Sequence, residues 1–155
     1  MSRGIDYKKI DGSNLKIGIV KAHYNGSYTD PVKNWCVKSL LDSGVKEENI
    51  FYLEVAGAYE VLYGINKMLQ AHEVDVVVPI ACLIKGETMH FEYISEAVTQ
   101  GIGRYNTEGS IPVIFGILNC LTEDQAVART VTSEKNVGWE FGKTAVEMGA
   151  LKRME

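Results

Sequence analysis

The sequence predicts a three-layer α/β/α sandwich built on a four-stranded parallel sheet. Three observations carry this expectation. Short apolar runs rich in β-branched residues alternate with segments of helical periodicity along the chain. The most apolar run, VDVVVPIACLI from Val74 to Ile84, lacks polar alternation, as a strand covered on both faces requires. The chain has 155 residues, 46% hydrophobic and 23% charged, with no internal repeat, which suits one globular domain. Alternating strands and helices imply right-handed crossovers that lay helices on both faces of the sheet.

Each element has its own signal. Residues 1–14 are polar and read as an N-terminal arm, leaving 15–155 as a single domain. Leu15 to Val20 is a buried strand. Thr29, Asp30 and Pro31 look like a helix start, with proline in the first turn. Val32, Cys36 and Leu40 then form a stripe, widened by Val37 and Leu41, and Gly44 is a natural stop. Asn49 to Val55 is a second strand, and Tyr59 to Gln70 a helix with Val61, Ile65, Met68 and Leu69 on its apolar face. Pro79 inside the third strand cannot donate to a ladder, so a bulge or a change of partner is expected there. A helix from about Phe91 to Tyr105 precedes a fourth strand, Pro112 to Leu118. Thr122-Glu123-Asp124-Gln125 has the capping-box pattern, and a last helix covers roughly Trp139 to Lys152. The set fits a small flavodoxin-like sandwich.

Composition excludes several classes. A formal net charge of −4 offers no basic excess for a nucleic acid. No apolar run approaches the roughly 20 residues of a membrane span, and the first residues lack the apolar core of a signal peptide. Three cysteines without CxxC spacing suggest free thiols and a reducing, cytoplasmic setting. His23, His72 and His90 lack metal-ligand spacing, so no metal is expected.

In doubly wound sheets, ligands bind beyond the carboxyl ends of the strands. That rule selects four segments. Tyr24 and Asn25 follow the first strand; they can stack on and hydrogen-bond a planar ring, or simply form an Asn-Gly turn. Gly57-Ala58-Tyr59-Glu60 offers N–H groups and a carboxylate, or a glycine turn into a helix. Lys85-Gly86-Glu87-Thr88 leads into a helix start, a ready anion site, with His90 beside it as a proton shuttle near neutral pH. Taken alone, that short stretch favours the plainer reading, a Thr N-cap followed by a surface histidine. Arg129, on the helix after the fourth strand, is a phosphate clamp or a solvated arginine. Cys82 and Cys120 read as small buried residues.

Taken together, DGSNLKIGIVKAHYN, VAGAYE, VVVPIACLIKGETMHFEYISEAV, PVIFGIL, TEDQAVAR and TAVEMG resemble lumazine synthase, from about Asp11 to Gly149. The resemblance implies a cofactor-free condensation of 5-amino-6-ribitylaminouracil with 3,4-dihydroxy-2-butanone 4-phosphate. It implies His90 as the proton-transfer residue, with Glu87 and Thr88 in the phosphate turn, completed by Arg129 and supported by Lys85. It implies Tyr24 as the stacking aromatic and Ala58, Tyr59 and Glu60 as the ribityl segment. Cys82, Leu83 and Ile84 would hold the pyrimidine edge, and Phe115 would come from the adjacent subunit of a homopentamer. Some members build sixty-subunit shells, and the sequence signals for the two assemblies conflict.

The pattern also departs from the family's. Ala56 and Leu62 replace two prolines, which frees two φ angles. Ala81 replaces a usual glycine, His23 a frequent arginine, Thr130-Val131 an Ala-Gly pair, and Val137 a basic or polar residue. These changes surround the site residues without removing them. They keep open a second expectation, a weakened or inactive scaffold serving as an assembly or flavin/lumazine-binding protein. A generic flavin or nucleotide module is a third, disfavoured by the His90 and Arg129 pair.

Overall fold

A computed structural model describes residues 5–154. Its elements are β1 (Ile17–Ala22), α1 (Gly26–Asp42), a 3-10 turn (Glu47–Asn49), β2 (Ile50–Val55), α2 (Val61–Ala71), β3 (Val76–Ile84), α3 (His90–Glu108), β4 (Gly116–Cys120), α4 (Glu123–Arg129) and α5 (Val137–Arg153). The four strands are parallel, in the order β2-β1-β3-β4. One apolar cluster joins Ile17, Ile19, Val78 and Ile80 to Val32, Cys36 and Leu40 of α1 and Ala145 and Val146 of α5. A second, on the other face, joins Val20, Val77 and Ile117 to Val61, Ile65 and Met68 of α2 and Val98 and Ile102 of α3. Side chains alternate along a strand, so each strand feeds both clusters. This is the expected three-layer sandwich, with β3 central and buried over its first seven residues.

The first four residues of the predicted arm lie outside the described residues. From Ile5 to Gly12 the chain has neither helix nor strand, and the Gly12 N–H donates to Ser43 O at 2.7 Å. Gly44 ends the α1 turn at φ 91°, as predicted from its left-handed freedom.

Three features of α1 and the fourth strand differ from the sequence reading. Helix α1 starts at Gly26, three residues before Thr29. Asn25 takes the left-handed conformation at φ 57°, which aims the chain into the helix directly after the strand. Thr29 is therefore fully buried within the helix, its hydroxyl donating to Ala22 O at 2.9 Å. Leu41, expected in the apolar stripe, is 42% exposed.

The third difference is in the fourth strand, which runs Gly116–Cys120 instead of Pro112 to Leu118. Pro79 is the cause. Val77 bridges to Val113, with Val77 N–H donating to Pro112 O at 3.1 Å and Ile114 N–H to Val77 O at 2.9 Å. The next donor facing β4 would be Pro79, which has no N–H. Ile114 O instead accepts from Gly116 N–H at 2.9 Å, and regular pairing resumes at Ile80 with Gly116. A Cβ on Gly116 would fall 2.1 Å from Pro79 O, so the two strands meet here only because residue 116 is glycine. The interruption expected at Pro79 is present, and the regular strand begins at Gly116 instead of Pro112 and ends at Cys120 instead of Leu118.

Candidate active site

The carboxyl ends of the strands open on one side of the sheet, and the chain ties part of that mouth together. The His23 N–H donates to Val55 O at 2.8 Å and the Tyr24 N–H to Ala56 O at 2.9 Å, extending the β1–β2 pairing beyond the strands. The Asn25 side chain donates from Nδ2 to Cys82 O at 2.7 Å, which links the β1 end to the β3 end. A Cβ on Gly57 would sit 2.6 Å from Tyr24 Cδ2, so the exposed Tyr24 ring lies directly against that glycine. Glu60 folds back so that Oε1 accepts from the Gly57 N–H at 3.0 Å. Ala58 is buried beneath this loop, and Tyr59 is exposed above it. Tyr24, Asn25, Ala58, Tyr59, Glu60 and Cys82 thus belong to one connected surface. Helix α2 begins at Val61, two residues after Tyr59, because this turn consumes residues 58–60.

The β3 and β4 ends make a second surface. The Lys85 N–H donates to Cys120 O at 2.9 Å, continuing the ladder one residue past Ile84. Leu83 and Ile84 are half-buried at this rim. Asn119 Nδ2 donates to Ser95 Oγ at 2.9 Å, which ties β4 to α3. Lys85 Nζ lies 3.6 Å from Glu92 Oε2. The other carboxylate oxygen, Glu92 Oε1, is buried with no hydrogen-bond partner among the described residues. A buried charged acceptor without a donor is costly, and the Lys85 ammonium on the other oxygen offsets part of that cost.

Residues 85–90 are all exposed. Thr88 is not the N-cap that the sequence suggested. Met89 holds that position, and Thr88 Oγ1 accepts from the His90 N–H at 3.3 Å. The hydroxyl reaches two residues ahead, a local side-chain turn that starts the helix one residue later. His90 is the first residue of α3, so its ring stands at the positive end of a 19-residue helix, next to Glu87 and Thr88.

Arg129 ends α4 half-buried, with Nη1 donating to Gln125 O at 3.0 Å. Helix α4 starts as predicted, with Thr122 Oγ1 accepting from the Gln125 N–H at 3.3 Å, while the Gln125 amide oxygen accepts from the Leu121 N–H at 2.7 Å. Burial raises the Cys120 thiol above its ordinary pKa, and the nearby Arg129 charge and the Cys82 side chain pull it partly back. Arg129 therefore faces the β4 end. Burial and the neighbouring Cys120 push the Cys82 thiol up to about 12. All three cysteines are free and buried, and Cys82 and Cys120 behave as the small core residues expected, not as nucleophiles.

Phe115 lies apart. It precedes β4 and is 41% exposed beside a groove of about 480 Å³ lined by Pro112, Thr144, Met148 and Leu151. That groove sits at the closing ends of α3 and α5, at the opposite end of the sheet from the mouth. Among the described residues, no cluster of three or more His, Cys, Asp or Glu side chains could hold a metal. No helix is long and apolar enough to cross a membrane, again among the described residues. Sequence reasoning missed Glu92 and Tyr28. For Glu92 the signal was present, an acidic residue in the first turn of the helix that carries His90.

Residues 14–153 match the sequence profile of the 6,7-dimethyl-8-ribityllumazine synthase family. The chain belongs to the lumazine synthase family. It is similar to the 6,7-dimethyl-8-ribityllumazine synthase of Porphyromonas gingivalis, at 39% identity over 96% of this chain and 93% of the relative. The enzyme of that name from Schizosaccharomyces pombe is also 39% identical, over 95% of this chain and 94% of its own. That from Bacteroides fragilis is 39% identical over 86% and 94%. The lumazine synthase match spans every strand and helix except the starting arm, so the mouth described above falls wholly within it.

Proposed function

We propose that the chain condenses 5-amino-6-(D-ribitylamino)uracil with 3,4-dihydroxy-2-butanone 4-phosphate, giving 6,7-dimethyl-8-ribityllumazine, phosphate and water. The observation that carries this reading is the convergence of the strand-end segments of all four strands on one mouth, in a chain of this family. The amine of the pyrimidine attacks the ketone carbonyl; loss of water gives an imine. Removal of the carbinol proton beside the imine expels phosphate and leaves an enol; its tautomerisation to a new ketone and attack by the ribitylamino nitrogen on that carbonyl close the ring with loss of a second water. Every step moves protons, and an exposed histidine at a helix start can give and take them near neutral pH.

His90 fills that role. The N–H groups at Glu87 and Thr88, with Arg129 and Lys85, form the phosphate grip, supplying positive potential on a chain of net charge −4. Tyr24 stacks on the pyrimidine, and Asn25 fixes the β1 turn beneath it. Ala58, Tyr59 and Glu60 receive the ribityl chain, and Cys82, Leu83 and Ile84 line the pyrimidine edge. Phe115 stands just before the edge strand β4, at the level of Ile80 in the middle of β3, and is exposed; an aromatic on this open edge suits service to a neighbour's mouth in a homopentamer of shared sites.

The test mixes both substrates with the purified protein and follows lumazine absorbance and fluorescence. Product formation that depends on protein concentration is expected. Absence of product at high protein concentration, with a flavin or lumazine still raising the melting temperature, would favour the inactive scaffold.

A further inference from the structure

Tyr28 and Glu123 have no part in the chemistry above, yet they join the two helices that frame the mouth. We propose that Tyr28 is a positioning residue for Arg129, acting through Glu123 and α4. This inference rests on the reading that Arg129 grips the substrate phosphate.

The Tyr28 hydroxyl donates to Glu123 Oε1. Tyr28 lies in the first turn of α1, its N–H donating to Asn25 O at 2.9 Å, and Glu123 is the first residue of α4. Since β3 lies between β1 and β4, the bond from the helix after β1 to the helix after β4 spans the β3 end. The Tyr28 ring is half-buried against the cluster that holds Cys82, Cys120 and Ala126, so the donor is held on the sheet and not free to wander. The phenol is pushed up to about 12, chiefly by its bond to the Glu123 carboxylate, and so stays a donor at any ordinary pH.

Helix α4 needs such a tie. It has seven residues, and Ala126 is the buried one; Val127 is 53% exposed and Leu121, just before it, 58%. An isolated helix this short is not stable in water. One buried methyl gives little apolar anchoring, roughly 1 kcal/mol by area. Polar links must therefore set its pose. Four are internal to the segment: the Thr122 cap, Leu121 N–H to Gln125 Oε1 at 2.7 Å, Arg129 Nη1 to Gln125 O at 3.0 Å and Thr130 Oγ1 to Ala126 O at 2.9 Å. Tyr28 to Glu123 reaches outside it, to α1. Arg129 stands at the other end of the same short rod, so tilt at Glu123 becomes displacement at the guanidinium.

The experiment compares Tyr28→Phe, Glu123→Ala and Glu123→Gln with the natural protein, in the assembled state. Tyr28→Phe and Glu123→Ala are expected to raise the KM for the butanone phosphate roughly 5–20-fold, at and below the low end of what a hydrogen bond to a charged group contributes, since this one is solvent-exposed. The KM for the pyrimidine should change less than about twofold, and melting temperature by no more than about 2 °C, since the bond is solvent-exposed. Glu123→Gln keeps an acceptor for the phenol and should stay near the natural KM. Amides 123–130 should exchange faster in Tyr28→Phe and Glu123→Ala only. Equal KM values and unchanged exchange would overturn the proposal. So would both KM values rising together with a fall in melting temperature, the mark of a general structural role. If the natural protein makes no lumazine, the functional reading fails by itself. The exchange of α4 and thermal stabilisation by inorganic phosphate then still decide whether Tyr28 holds α4 and Arg129 in place.

Discussion

The two halves of the mouth are built differently. Around β1, β2 and the β3 end, each loop is held by the chain itself: Tyr24 N–H on Ala56 O, Asn25 Nδ2 on Cys82 O, Glu60 Oε1 on the Gly57 N–H. Around α3, residues 85–90 are exposed, and Glu92 Oε1 is buried without a partner among the described residues. The first half is internally bonded and carries the exposed Tyr24 ring; the second presents exposed side chains around His90. In the proposed reading, the chemistry falls to the exposed half and the internally bonded half supplies stability and position.

That difference sets the order of the expected effects. His90→Ala should lower the rate of lumazine formation by roughly 10²–10⁴-fold, the usual contribution of a positioned acid–base group. Its melting temperature should move by less than about 2 °C, because the ring is exposed and its N–H bond to Thr88 is a backbone bond. Steady-state kinetics and calorimetry on one preparation check both halves of this statement. A variant that also melts far lower would mean that the exposed half bears structural weight.

Asn25→Ala should do the reverse in part. It loses the bond to Cys82 O and puts alanine at φ 57°, together about 2–3 kcal/mol of stability. The β1 turn then shifts, and kcat/KM should fall on the order of 10–100-fold through misplacement alone. Asn25→Gly, which restores the backbone but not the amide, should recover about a third to a half of the stability. Denaturant titration separates the two contributions.

The smallest effect on activity belongs to Asp75, at the amino end of β3. Its carboxylate accepts from Lys16 N–H at 2.8 Å, from Lys152 Nζ at 3.2 Å and from Arg153 at 2.9 and 3.0 Å. Burial alone would raise this carboxyl, but these donors hold it below its ordinary value. A depressed native pKa means that the unfolded chain binds the proton more readily. Stability is therefore fully present above pH 4 and is lost as pH falls through the native pKa. Asp75→Asn should flatten that acid limb and lower the melting temperature by roughly 3–8 °C at neutral pH, with kcat unchanged. A pH series of thermal melts on both proteins reads it directly.

The three layers and the parallel four-stranded sheet were legible because apolar periodicity and buried runs depend on local sequence; the strand order β2-β1-β3-β4 comes from the structure. So was the Pro79 interruption, since a missing N–H must break a ladder somewhere. What the sequence did not disclose was how far the break would move β4, because that depends on Ile114 O finding Gly116 instead. The early start of α1 was hidden for a similar reason. Asn25 reads as a turn, and only its bond to Cys82, 57 residues away, shows the turn to be a helix entry. The strand-end rule found the mouth, yet Glu92 and Tyr28 escaped it. Their roles come from partners on other elements, and no local pattern marks such pairs.

Phe115 gives the sharpest test of the account. It stands exposed on the edge-strand side of the sheet, before β4, while His90 opens α3; the proposed site takes the two residues from different subunits. His90→Ala and Phe115→Ala chains, unfolded together and reassembled, should regain lumazine formation well above the mean of the two variants prepared separately. Activity no greater than that mean would contradict the shared site and leave Phe115 without a place in the reaction.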